Sequence, residues 1–192
     1  MKKNIHNYPQ IIENEVITAL SFYPELKNTQ ITFKFRKNIK KSTMLSQPTI
    51  KSFFRPKKYR SYQILISEKF KISDNKFLTK DLPSNVLIGW IGHELGHIID
   101  YKNRSHLNLI SFGIQYLFSD HYIKHAERRA DTHAVRNGMR SYILDTKNFI
   151  INHADIPQYY KDHIEKYYLS PEEIMEIVEH PEEILDKKSI VN

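Results

Sequence analysis

The chain contains no cysteine. That excludes disulfides and rules out thiolate ligands for any metal. No apolar run approaches the roughly 20 residues of a membrane span. The longest, Leu107 to Phe118, is short and interrupted by Asn108, Ser111 and Gln115; it reads as a buried helix or lid element, with an interfacial helix as the alternative. Behind Met1-Lys2-Lys3-Asn4 there is no apolar segment of the kind an export signal requires. The default expectation is therefore a cytoplasmic protein, with non-classical secretion left open. Glycine is scarce, five in 192 residues, and three of the five are Gly89, Gly92 and Gly96. Acids are missing from residues 27–67, where eleven Lys or Arg occur, while residues 170–192 carry seven acids and two lysines. Against an overall net charge of +7, this asymmetry reads as a solvated face, or as an acidic C-terminal helix docking on a basic sheet.

What is present fits one globular domain: 40 % apolar and 12 % aromatic residues. Three stretches are expected within 1–192: a helix plus basic sheet over 1–80, helices carrying a site over 81–138, and C-terminal helices over 139–192. Residues 8–22 have helical apolar spacing. Ile31 to Arg36 and Ser61 to Phe70 read as strands, and Ser42 to Phe54 holds one or two more, broken at Pro48. Asp81-Leu82-Pro83-Ser84 reads as a helix start with Asp81 as N-cap. Further helices are expected near 106–118, 120–137, 139–153, 157–168 and 171–187, with Asn137-Gly138 as a stop and Ser170-Pro171-Glu172-Glu173 as a start. The fold class is α+β.

His93-Glu94-Leu95-Gly96-His97 is the most informative stretch. The chain's own residue frequencies would yield a chance H-E-x-x-H in about 4 % of such sequences, so context has to decide. Residues four apart share a helix face, so both imidazoles can bind one ion while Glu94 lies beside it. Val86, Leu87, Trp90, Ile91, Leu95, Ile98 and Ile99 make this helix apolar nearly all round, and such a helix is buried. A catalytic zinc takes three protein ligands. Glu127-Arg128-Arg129-Ala130-Asp131 puts two carboxylates on one helical face. One can bind the metal, and the other can hold a ligand histidine in the right tautomer. Two other spacings fail: a ligand six residues after His97 would be Asn103, and one five after it would be Lys102. Asp100 reads as a residue orienting something within the helix. Gly89, Gly92 and Gly96 would form a low ridge against Ala126, Ala130 and Ala134, letting the two helices approach.

His93-Glu94-x-x-His97 followed by Glu127-x-x-Ala130-Asp131 resembles the gluzincins, zinc metallopeptidases with a glutamate as third ligand. The resemblance covers about residues 82–138 and, given the small size, looks like the minigluzincin type. It implies a zincin-like fold: N-terminal helix, small twisted mixed sheet, metal-site helix, glutamate helix, C-terminal helices. It implies His93, His97 and Glu127 as ligands of Zn2+, Glu94 as general base, Asp131 as the residue orienting a ligand histidine, and a peptide or protein as substrate. The strand before the site helix, Tyr62 to Ser67, would then be the rim that pairs with an extended peptide. The electrophile for the oxyanion stays open among His133, Arg136, Tyr122, Tyr159 and Tyr160. Two alternatives remain: a latent gluzincin blocked by its acidic C-terminal helix, and a non-catalytic basic binding module on the same scaffold. Nucleic acid is not expected as a partner.

Overall fold

The structure, a computed structural model, describes residues 5–37, 39, 43–53, 55–69, 78–153 and 155–179. Helix α1 spans Glu13–Ser21 after a single tight turn at Gln10–Ile12. Ile12, Val16 and Ala19, spaced four and three apart, are buried, while Ile11 and Ile17 on the other side are exposed.

Three strands follow: β1 Ile31–Arg36, β2 Met44–Pro48 and β3 Tyr62–Ser67, with a short helix α2 at Ile50–Phe53. Their order is β1-β3-β2, with β1 parallel and β2 antiparallel to β3. Alternation sends Ile31 and Phe33 of β1, and Tyr62, Ile64 and Ile66 of β3, into the core. The strand before the site helix is thus central rather than a rim. Strands β1 and β2 form the two edges, and in β2 Pro48 closes the strand, a position that tolerates a missing N–H.

Helix α3, Ser84–Asn103, runs through the interior: every residue from Val86 to Asp100 is buried. It packs on α1 and β2 and on two later helices. Asp81 does not cap it. The residue before a proline is pushed into extended geometry. Leu82 accordingly has ψ 151°, so the helix starts only after Pro83, and Asp81 closes a separate turn at Thr79–Asp81.

Then come α4 (His106–Phe118), α5 (Asp120–Ala134), α6 (Arg140–Asn152), α7 (Gln158–Tyr167) and α8 (Pro171–Glu179). Ser105 accepts a hydrogen bond from the Asn108 amide at 3.2 Å to cap α4. Between α5 and α6 the chain makes a wide turn at Val135–Met139, where Gly138 takes φ 89°, a conformation glycine adopts at no steric cost. Ser170 and Glu173 form a reciprocal cap on α8, with bonds of 3.2 and 2.8 Å.

The glycines of α3 serve three neighbours rather than one ridge. A Cβ on Gly96 would fall on the Ala130 carbonyl oxygen of α5. One on Gly92 would meet Met139, and one on Gly89 would meet Tyr142 and Thr146 of α6. Only Gly96 therefore sets the approach of the two site helices. No helix among the described residues is long and apolar enough to cross a membrane.

Candidate metal centre

Helices α3 and α5 cross where Gly96 meets Ala130, and their functional side chains converge there. His93, His97 and Glu127 are all buried, and their ligand atoms lie within 4.8 Å of one another. His93 Nε2 is 3.0 Å and His97 Nε2 3.4 Å from the same oxygen, Glu127 Oε2. Ligands about 2.0–2.2 Å from one tetrahedral ion would be about 3.3–3.6 Å apart. The two edges that end on Glu127 Oε2 thus lie within a few tenths of an ångström of such a tetrahedron, while the three ligand atoms together span up to 4.8 Å.

The neighbours set the protonation. Asp131 Oδ1 lies 2.8 Å from His93 Nδ1, and Asp131 Oδ2 accepts from Lys147 Nζ at 2.9 Å and from the Leu169 amide at 3.1 Å. Burial alone would raise the Asp131 carboxyl, but Lys147 and His93 hold it down at about 2. An ionised carboxylate only accepts, so Nδ1 of His93 carries the hydrogen and Nε2 faces Glu127. Burial would likewise lower His93, yet its hydrogen bonds to Asp131 and Glu127 outweigh it and bring it up to about 10. Glu127 is pushed up by burial and held well below the usual carboxylate range by His97 and His93. The geometry requires a positive charge between Nε2 and Oε2: a proton in the metal-free protein, or a metal ion in its place. This donor set, two imidazoles and a carboxylate without thiolate, suits zinc.

Tyr116 of α4 donates to Glu127 Oε1 at 2.6 Å and so fixes the carboxylate's other oxygen. Tyr101 stacks on His97 with ring centroids 5.9 Å apart, and Tyr168 lies 5.2 Å from the His93 ring. Burial, reinforced by the Glu127 and Glu94 charges, raises Tyr101, Tyr116 and Tyr160, so these phenols are neutral donors. Asp100 is no ligand: Arg104 Nε and an Arg129 guanidinium nitrogen each reach it at 2.8 Å.

The unshared side of His97 and Glu127 opens into a cleft of about 660 Å³, whose walls include Glu94, β2 from Met44 to Pro48, the inner face of α4, Tyr160, His163 and Tyr168. Among the described residues no hydrogen bond claims the Glu94 carboxylate. Comparison of the chain with protein-family models, curated proteins and solved structures finds no match. Of the five electrophile candidates only Tyr160 lines the cleft; Tyr122, Tyr159, His133 and Arg136 do not. No described residue of α8 lines it either. Helix α8 packs against the Val135–Met139 turn, and its Glu173 pairs with Arg128 of α5 rather than with the basic sheet; residues 180–187 lie outside the described residues.

Three participants escape the sequence pattern: Tyr116, Lys147 and the Leu169 amide. Lys147 did leave a signal. It follows Ile143 by four and precedes Ile150 by three, a lysine on the buried face of a helix, where lysine needs a partner.

Proposed function

We infer that the protein is a zinc-dependent peptidase of the gluzincin kind, with a zincin-like arrangement of sheet and site helices. The convergence of His93 Nε2, His97 Nε2 and Glu127 Oε2 at the wall of an open cleft carries this reading, since a catalytic site keeps one metal position for water or substrate. The chemistry zinc supplies in such a site is Lewis acidity toward a carbonyl and a lowered pKa for water.

The chain's own groups do the rest. Glu94 takes the proton of the attacking water on its carboxylate and delivers it to the leaving amine nitrogen. Tyr160, neutral and on the cleft wall, donates to the carbonyl oxygen as negative charge develops there. Asp131 holds His93 in the tautomer that presents Nε2, and Tyr116 holds Glu127. The backbone of edge strand β2 pairs with an extended peptide, a role first expected of Tyr62 to Ser67.

Replacing Glu94→Gln tests the mechanism. Cleavage of casein or a quenched peptide library should fall by about 100-fold or more, with one zinc per chain retained by elemental analysis. Full proteolysis by this variant would rule the mechanism out.

A further inference from the structure

Helix α4 is apolar on two opposite faces. Leu109, Phe112 and Tyr116 point inward to the cleft. On the outside, Leu107, Ile110, Ile114 and Phe118 are 80, 47, 55 and 84 % exposed, and Leu117, 74 % exposed, sits where this face meets the cleft mouth. At 100° per residue these five fall within about 100° of arc, one continuous stripe. The helix carries no charged side chain of either sign. A soluble surface seldom leaves such a stripe open without a use for it.

A basic segment is fastened to the start of this helix. The Phe53 ring lies 5.5 Å from that of His106, which also bonds the Arg55 carbonyl at 3.0 Å. Arg60 bonds the carbonyls of Tyr101 and Arg104, and Lys57 that of Asn103. These bonds hold Lys51, Arg55, Lys57 and Lys58, all exposed, beside the start of the stripe, while Ile50, 80 % exposed, lines the cleft mouth. No acid occurs anywhere in residues 27–67.

We propose that the outer face of α4 and the Lys51–Lys58 segment form one docking surface for an anionic lipid bilayer, with α4 lying in the plane of the interface. The stripe supplies apolar area for the headgroup boundary, and the lysines and arginine supply attraction to acidic lipids. A 13-residue helix rises about 20 Å, too short to span the hydrocarbon but suited to lying along it. Tyr59, 60 % exposed at the edge of the basic segment, is the aromatic residue that favours the headgroup level. The cleft then opens next to the bilayer, because its wall and the docking face are two sides of the same helix. Vesicle binding is read without catalysis, so the inference stands apart from the metal centre.

The test is flotation of the full chain with phosphatidylcholine vesicles, with and without phosphatidylserine. The chain should float with the serine-containing vesicles, stay behind with phosphatidylcholine alone, and be released by high salt. Leu107→Ser with Phe118→Ser should weaken partitioning by at least about tenfold, and so should Lys51→Glu with Lys58→Glu. Circular dichroism checks that each variant is folded. The lysine pair alters only exposed side chains and decides the matter if the serine pair unfolds. No partitioning onto acidic vesicles overturns the proposal, as does equal partitioning of folded variants and parent. A concentration-dependent dimer, lost in the serine pair and without vesicle binding, overturns it in favour of a second copy of the chain.

Discussion

At His93 one position takes a proton or, on the proposed reading, a metal ion. Its folded pKa, about 10, lies above the ordinary 6.5. For the metal-free protein the stability it contributes is fully present below about pH 6.5 and is lost as pH rises through about 10. Metal affinity runs the other way, because the ion must displace the Nε2 proton. Calorimetric titration with zinc at pH 7, repeated in buffers of different ionisation heat, should report about one proton released per metal. Apparent affinity should rise about tenfold per pH unit between pH 6 and 8. A pH-independent affinity would contradict the arrangement. Lys147 has the complementary task of neutralising Asp131, both being nearly inaccessible to water. Lys147→Met keeps the volume and strands the carboxylate, which should cost about 3–5 kcal/mol in urea unfolding.

Among the elements, the contact of α3 with α5 is the most exacting. Alanine usually improves a helix over glycine by about 1 kcal/mol, yet at Gly96 the added methyl would fall on the Ala130 carbonyl oxygen. Gly96→Ala should therefore destabilise by about 1–3 kcal/mol and spread the ligand set, weakening zinc binding in the same sample. Gly113→Ala, with nothing near its Cβ, should leave the fold as stable or stabilise it by up to about 1 kcal/mol in thermal melts. The elements were largely legible in the chain: β1 over Ile31–Arg36 and α4 over His106–Phe118 follow their apolar spacing closely. So did the pairing of His93, His97 and Glu127, because i,i+4 geometry fixes both halves separately. Strand order was not legible. Periodicity says that Tyr62 to Ser67 is buried on one face but not that β3 inserts between β1 and β2, leaving both at the edges. Nor could spacing say that Gly89 and Gly92 look toward α6 and Met139, since small residues mark a close approach without naming the neighbour.

On the scale of the whole molecule, one apolar core draws on residues from Ile12 to Ile177, and the candidate metal centre is embedded in it. An ion that binds the folded chain and not the unfolded one stabilises the fold by mass action, by about 2.7 kcal/mol at a hundredfold excess over its Kd. For a chain of this size zinc should raise the melting temperature by roughly 5–10 °C, and EDTA should reverse the shift. A melting temperature indifferent to both would remove the metal from the fold's energetics. The Leu169 amide that reaches back to Asp131 has a bearing on biosynthesis. The histidines emerge from the ribosome first, Glu127 later, and the strap that completes Asp131's hydrogen bonding later still. If the site takes a metal, a nascent chain carries its ligands from His97 to Leu169 without the full set of contacts that holds them, and tight loading would wait until residue 169 is free to fold.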